Sequence, residues 1–195
     1  MTMAERHIRA IAVFCGSNLG ASDSYASGAR QLGRALAQQD ITLVYGGTTK
    51  GLMGIVADAT LEAGGKAHGV ITERLHARGH SHGRLTRHEI VETLRSRKER
   101  MVALADAFIA LPGGIGTVEE LMVVWSMNQL SEIDKPVGIL NVDDFFSPFL
   151  AFIDRMVDAK FLPAAHRHSI CSDASPEALI RSLQLFQKTD VPKWL

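Results

Sequence analysis

Asp106-Ala107-Phe108-Ile109-Ala110-Leu111-Pro112-Gly113-Gly114-Ile115-Gly116-Thr117-Val118-Glu119-Glu120-Leu121-Met122-Val123-Val124-Trp125 is the stretch that decides the fold. Residues 107–111 form an apolar run of strand length. Pro112 to Gly116 is a turn for glycine, and Thr117 then opens a helix rich in apolar residues. A strand feeding a glycine turn and a helix start is how α/β proteins build an anion site. The first N–H groups of such a helix lack intrahelical acceptors and carry the positive end of its dipole. Thr117-x-x-Glu120 also fits a capping box, which is ordinary helix-start chemistry. Three glycines before Thr117 favour the ligand reading, because a helix start does not need them and close approach does.

Working outward, the same grammar recurs. Residues 8–14 read as a buried strand followed by Cys15-Gly16-Ser17-Asn18-Leu19-Gly20. Ser22 or Asp23 caps a helix predicted over 24–39. Residues 41–45 are a second strand running into Gly46-Gly47-Thr48-Thr49-Lys50-Gly51-Leu52-Met53-Gly54. The helix that follows reaches about Ala63, where Gly64-Gly65 stops it, and 66–71 is a third strand. Strands alternating with helices, each helix entered through glycine, predict an α/β fold: a doubly wound (Rossmann-like) parallel sheet with helices on both faces. Right-handed crossovers place all strand C-termini on one edge, so the three glycine turns gather at one rim.

The remaining segments fill in the sheet. Residues 72–86 read as a polar loop, with His76, His80, His82 and His88 in or near it at irregular spacing that suits no metal. Residues 88–92 are a short strand, and Thr93-Leu94-Arg95-Ser96-Arg97-Lys98-Glu99-Arg100-Met101 leads a helix to about Ala105. Cations in a helix's first turns are unfavourable without an anion, which points to a phosphate; the alternative is a solvated basic face. The helix predicted over 117–130 is apolar on nearly every side, so a second subunit is expected to cover what the sheet does not. Lys135-Pro136 opens a strand over 137–140. Asp143 or Asp144 caps a helix carrying Phe145, Phe149, Phe152, Ile153, Met156 and Val157, and 161–168 is a loop. A last short strand over 169–171 precedes Ser175-Pro176-Glu177, a cap with Pro at the first helical position, and a helix to about Gln187. No repeat or linker interrupts residues 1–195, read as a single nucleotide-binding α/β domain.

Composition narrows the function. Hydrophobic residues make up 46% of 195, enough for a real core, and Lys+Arg equals Asp+Glu at 21 each. A zero formal charge gives no long-range pull toward nucleic acid or an anionic membrane. No apolar stretch spans a bilayer, the first residues lack a signal-peptide core, and a cytoplasmic protein is expected. Cys15 and Cys171 make neither a metal spacing nor a disulfide framework and read as buried fillers. The first turn, Gly16-Ser17-Asn18-Leu19-Gly20, does not match the dinucleotide fingerprint. Residues 46–51 have Walker-loop spacing, but Leu52 and Met53 replace Lys and Ser/Thr. A monophosphate at the helix after Gly116 remains open, with no cofactor and no metal expected.

These residues resemble the LONELY GUY (LOG) family, cytokinin riboside 5'-monophosphate phosphoribohydrolases. The likeness lies in Val13-Phe14-Cys15-Gly16-Ser17, Tyr45-Gly46-Gly47 with Gly51-Leu52-Met53-Gly54, Arg97-Lys98, and the run from Pro112 through Glu120. It continues through Trp125, Gln129-Leu130 and Asp134-Lys135-Pro136-Val137-Gly138. The resemblance implies cleavage of the N-glycosidic bond of AMP or an N6-substituted analogue to free base and ribose 5-phosphate. It implies Arg97 and Glu120 as the catalytic pair, with Gly113, Gly114, Gly116 and Thr117 on the phosphate. Ser17, Gly47, Lys98 and Ser126 fall where substrate contacts are expected, in a homodimer. Cleavage builds positive charge on the sugar. A carboxylate about 4 Å away contributes ~4 kcal/mol at an effective dielectric of ~20, roughly a thousandfold in rate. A helix N-terminus near Glu120 would favour its ionised form.

The sequence departs from the family pattern at Leu94-Arg95, where Met-His is usual, at Gly79 for Glu, at Thr72 for Pro, and at Thr48-Thr49-Lys50, where a further Gly is common. These positions surround the expected base and ribose pockets. Two other readings stand beside the enzyme: a carrier of a nucleotide-like ligand such as molybdenum cofactor, and a nucleic-acid-binding protein of the DNA-processing type. The Arg97–Glu120 pair discriminates against the first, since a carrier has no need of the carboxylate. Balanced charge discriminates against the second.

Overall fold

The computed structural model describes residues 5–188, and within them seven parallel strands form one sheet in the order β4-β3-β2-β1-β5-β6-β7. The strands are β1 (Ala10–Phe14), β2 (Thr42–Tyr45), β3 (Ala67–Thr72), β4 (Arg87–Val91), β5 (Ala107–Ala110), β6 (Val137–Leu140) and β7 (Ile170–Asp173). The order reverses beside β1, the earliest strand, which pairs with β2 on one side and β5 on the other. In open parallel sheets that reversal opens a crevice at the strand C-termini. Residues 1–4 and 189–195, assigned by sequence to the same domain, lie outside the described residues.

The helices are α1 (Asp23–Gln38), α2 (Gly51–Glu62), α3 (Glu73–Ala77), α4 (Leu94–Leu104), α5 (Ile115–Gln129), α6 (Ser147–Asp158), α7 (Ala164–Arg167) and α8 (Pro176–Leu185). Buried strands are apolar on both faces. Ile11 and Val13 point into one layer with Leu32, Leu36 and Val56 of α1 and α2 and Leu179 and Leu183 of α8. Ala12 and Phe14 point into the other with Met101 of α4, Leu121 and Trp125 of α5 and Ile153 of α6. At the edge, β4 is half exposed and carries charge, which discourages pairing with another chain. No helix among the described residues is long and apolar enough to cross a membrane.

Several expectations change. The polar loop over 72–86 contains α3, and its His82 is buried, with Nε2 3.1 Å from Asp58 Oδ1. The loop at 161–168 contains α7. Neither aspartate caps α6; Asn141 Oδ1 instead accepts from the Phe146 N–H at 2.7 Å. Ser22 caps α1 and Ser175 caps α8 as the sequence indicates. Cys15 is buried, whereas Cys171 is only partly so.

One contact ties the first two glycine turns together. Gly51 has a φ of +55°, and a methyl there would lie 2.3 Å from the Ser17 carbonyl carbon. The next N–H, of Leu52, donates to the Gly16 carbonyl at 3.0 Å. Gly51→Ala therefore combines left-handed strain with overpacking, at a cost of about 2–4 kcal/mol. Calorimetry should show a melting temperature roughly 5–12 °C lower; an unchanged value would mean the two turns are not locked.

Candidate active site

At the C-terminal rim, a cleft of about 460 Å³ opens between the first turns of α4 and α5. That is within the range of ~300–1,000 Å³ typical of small-molecule sites. Its lining includes Cys15, Gly16 and Ser17 after β1, Met53 of α2, Leu94, Arg97 and Lys98 of α4, and Gly114 to Thr117, Glu119 and Glu120 from the α5 start.

The α5 start is built differently from the expected capping box. The helix begins at Ile115, with Gly114 as N-cap and no side-chain cap. Thr117 is already inside the first turn, and Glu120 reaches Arg97 rather than the cap. The N–H groups of Ile115, Gly116 and Thr117 find no acceptor among the described residues. The three glycines divide their roles. A methyl on Gly113 would stand 2.1 Å from Thr117 Oγ1 and 2.8 Å from Gly16 N, so this glycine serves the packing of the turn. A methyl on Gly114 or Gly116 would meet no described atom within 4 Å, so these two keep the exposed amides open. Unpaired amides, a positive dipole end and clear access together suit an anion.

Below these amides, Arg97 Nη2 donates to Glu120 Oε1 at 3.0 Å, with both side chains about nine-tenths buried at 10% and 11% exposure. Burial pushes the Glu120 carboxyl above its ordinary value near 4.5, opposed by the Arg97 charge and raised further by Glu119. The expected help from the helix dipole is small, because Glu120 is the sixth residue of α5 and the effect fades within a turn. Burial, with a lesser contribution from Glu120, also holds the Cys15 thiol well above its usual range. Cys15 therefore lines the site as a thiol and not as a nucleophile.

The basic start of α4 needs less from a ligand than the sequence suggested. Thr93 and Ser96 form a reciprocal cap, each side chain accepting from the other's backbone N–H at 3.0 Å. Arg95 pairs with Glu99, Lys98 with Glu119, and Arg100 with Glu89. Most of these charges are met within the fold, and two ion pairs, Arg97–Glu120 and Lys98–Glu119, bridge α4 to α5 side by side.

Of the residues singled out by sequence, Ser17, Arg97, Lys98, Gly114, Gly116, Thr117 and Glu120 meet in this cleft. Gly113 underlies it and lines a smaller hollow on the other side of the Gly16–Ser17 ridge. Gly47 and Ser126 do not line it. Gly47 uses its carbonyl to accept the His82 N–H at 2.9 Å. Ser126 faces an outer hollow with Met122, Trp125 and Phe161. Leu94, one of the departures expected beside the base and ribose pockets, lines the cleft; Met53 and Glu119 line it but were not foreseen, and only their neighbours in the glycine turn and the Glu-Glu pair mark them.

A family model described as "Possible lysine decarboxylase" matches residues 53–183. The chain is 41% identical over 180 residues to cytokinin riboside 5'-monophosphate phosphoribohydrolase LOG1 of Arabidopsis thaliana, covering 92% of this chain and 84% of that one. It is 41% identical over 196 residues to the LOG2 protein of the same organism, covering 99% and 89%. The chain belongs to the LOG family. Among solved structures, the molybdenum cofactor binding protein of Rippkaea orientalis superposes with a TM-score of 0.68 at 23% identity, covering 89% of this chain and 94% of that one. At that identity the likeness speaks for the LOG chain's fold alone.

The buried pair makes a stability prediction. Arg97→Ala leaves the Glu120 carboxylate buried without its partner and costs about 3 kcal/mol at neutral pH. Glu120 has a raised folded-state value, so its ionisation opposes folding as pH rises above about 4.5, and more so in the variant. The deficit in urea unfolding should therefore be larger at pH 8 than at pH 5. An equal deficit at both would mean the two charges are not coupled.

Proposed function

We propose that this chain hydrolyses the N-glycosidic bond of adenosine-type 5'-monophosphates, releasing the free base and ribose 5-phosphate. The observation that carries the proposal is the buried Arg97–Glu120 pair lying under an uncapped, glycine-opened helix start. The names of relatives at about 40% identity over nearly the whole chain support the same reading. A carrier role has only a distant fold likeness behind it and leaves the paired carboxylate unexplained.

In this reading the 5'-phosphate lies on the amides of Ile115, Gly116 and Thr117, with Ser17 beside it. Lys98 leaves Glu119 to reach the phosphate. The sugar is then held over Glu120. As the bond to the base lengthens, positive charge grows on the ribose. An ionised Glu120 stabilises that charge or orients the attacking water. Arg97 opposes the effect of burial on the carboxylate and fixes its direction through the single Nη2 donor. Water adds to the anomeric carbon, its proton leaves, and the base departs with the bonding electrons and takes up a proton.

Glu120→Gln keeps the shape and removes the charge. Turnover of AMP or N6-substituted AMP, followed by release of free base, should fall by roughly a thousandfold while nucleotide binding is retained. Normal turnover in that variant would remove Glu120 from the mechanism. Because the ionised form is active and burial raises its pKa, kcat/KM should decline on the acid side with a midpoint above 4.5. A midpoint at or below that value would contradict the assignment.

The LOG chain is further proposed to work as a single domain in a homodimer. Leu130, Phe152 and Phe161 are 46%, 59% and 87% exposed, and Met122, Val123 and Met127 are half-buried on the outer side of α5. A second copy on this face would cover them and bring Ser126 into an interface. Light scattering should give twice the chain mass at micromolar concentration; a monomeric mass would overturn the dimer.

A further inference from the structure

Arg97 is held by fewer bonds than its burial suggests. Among the described residues its guanidinium makes one hydrogen bond, from Nη2 to Glu120 Oε1, while Nε is buried with no acceptor. A two-pronged pair would fix the guanidinium plane as well as the distance, and this pair has one prong. The orientation must therefore come from packing. The surface beneath the guanidinium is Gly46, the buried residue that follows β2. A methyl on Gly46 would stand 3.0 Å from Arg97 Nη2, 3.3 Å from Arg97 Cζ and 3.0 Å from Met53 Sδ. Nη2 is the same nitrogen that donates to Glu120.

Backbone conformation does not account for a glycine at 46. The left-handed φ falls on its neighbour, Gly47 at +72°, and not on Gly46. Main-chain crowding does not account for it either. At Gly51 and Gly54 a methyl would meet backbone atoms at 2.3 and 2.1 Å, whereas the nearest atoms to Gly46 are the ends of two side chains. What Gly46 leaves room for is the guanidinium and the thioether beside it.

We propose, resting on the hydrolase reading above, that Gly46 is a positioning residue for the reaction: its missing side chain sets where Arg97 Nη2 lies, and so where the Glu120 carboxylate points. A methyl at 46 forces Arg97 or Met53 to give by a few tenths of an ångström. Met53 lines the cleft beside Arg97, so either movement disturbs the floor on which the sugar rests. A misplacement of ~1 Å at a reacting group costs roughly a hundredfold in rate, so a fraction of that costs about tenfold.

The test sets Gly46→Ala beside Gly138→Ala in the full chain. A methyl on Gly138 would stand 3.0 Å from Leu179 Cδ1, an equally tight fit in an apolar layer away from the cleft. In Gly46→Ala, kcat for AMP should fall about tenfold with KM within about twofold. Gly138→Ala should leave both unchanged. The groups that act on Glu120 are Arg97 and Lys98 of α4, Glu119 beside it and the Cys15 thiol. With Arg97 displaced, its opposition to burial weakens, so the acid limb of kcat/KM should move to higher pH in Gly46→Ala. Urea unfolding reads the same contact without turnover. Gly46→Ala should destabilise the unmodified protein but not Arg97→Ala, where the methyl has room. A Gly46→Ala chain that folds only when Arg97 is also replaced supports the positioning role, and one that fails in both overturns it. Unchanged kcat and acid limb in Gly46→Ala, a kcat loss shared by Gly138→Ala, or equal destabilisation with and without Arg97 also overturns it. Absence of AMP cleavage by the unmodified protein would instead overturn the hydrolase reading, and the unfolding comparison would still decide whether Gly46 seats Arg97.

Discussion

The ion pair between Arg97 and Glu120 is the constraint around which the rim is arranged. It joins two helices that the chain reaches through different strands, with β5 between them in sequence. A parallel sheet with right-handed crossovers delivers both helix starts to one edge. Without that topology a guanidinium and a carboxylate separated by more than twenty residues would have no reason to meet. With it, the pair becomes the floor of a cleft whose upper wall is a row of unpaired amides. The same bond also sets a limit: either charge alone is unfavourable so close to the core, so loss of one partner costs stability.

The electrostatics of Glu120 are a contest with a legible outcome. Burial favours the neutral acid, and Glu119 next to it pushes the same way. Arg97 pushes back, and Lys98 adds a smaller pull from the side. A nucleotide monophosphate would change the balance, because its phosphate would draw Lys98 off Glu119. The carboxylate is thus held where a modest change in nearby charge matters, which suits a group asked to respond to a cation forming on a sugar. A fully solvated glutamate would have its charge screened, and one buried without Arg97 would be pushed further toward the neutral acid.

Much of this was written in local sequence. The short apolar and half-apolar runs between helices give all seven strands to within a few residues, because a parallel strand buried in a sheet has few ways to look. Lys135-Pro136 and Ser175-Pro176 mark the start of β6 and α8 because proline and serine act through their own backbone neighbours. What local pattern missed is non-local. Thr117-x-x-Glu120 has the letters of a capping box, but Gly114 caps α5 and Arg97, on another helix, claims the glutamate. The cations of α4 looked unmet because Glu89 and Glu119 arrive from β4 and α5. The helices α3 and α7 are too short for a periodic signal, and their stability comes from what they dock against. Ser126 was placed by resemblance in the substrate site; in the single chain it faces outward, away from the cleft.

The fold by itself leaves the chemistry open. A chain sharing the layered architecture at 23% identity is named for binding a cofactor. What separates a hydrolase from a binder on such a rim is a charge placed where the transition state differs from the ground state. In the proposed reaction, amides at the α5 start would grip the phosphate before, during and after bond cleavage, and so would set affinity. Glu120 would act differently, because a sugar held beside it is neutral when bound and positive only as the base leaves. The amides and the carboxylate are brought within one cleft by the α5 start, which opens outward at Gly114 and Gly116 and turns Glu120 inward one turn later. In the proposed reaction, binding energy fixed at one end of that turn would be spent on geometry at the other.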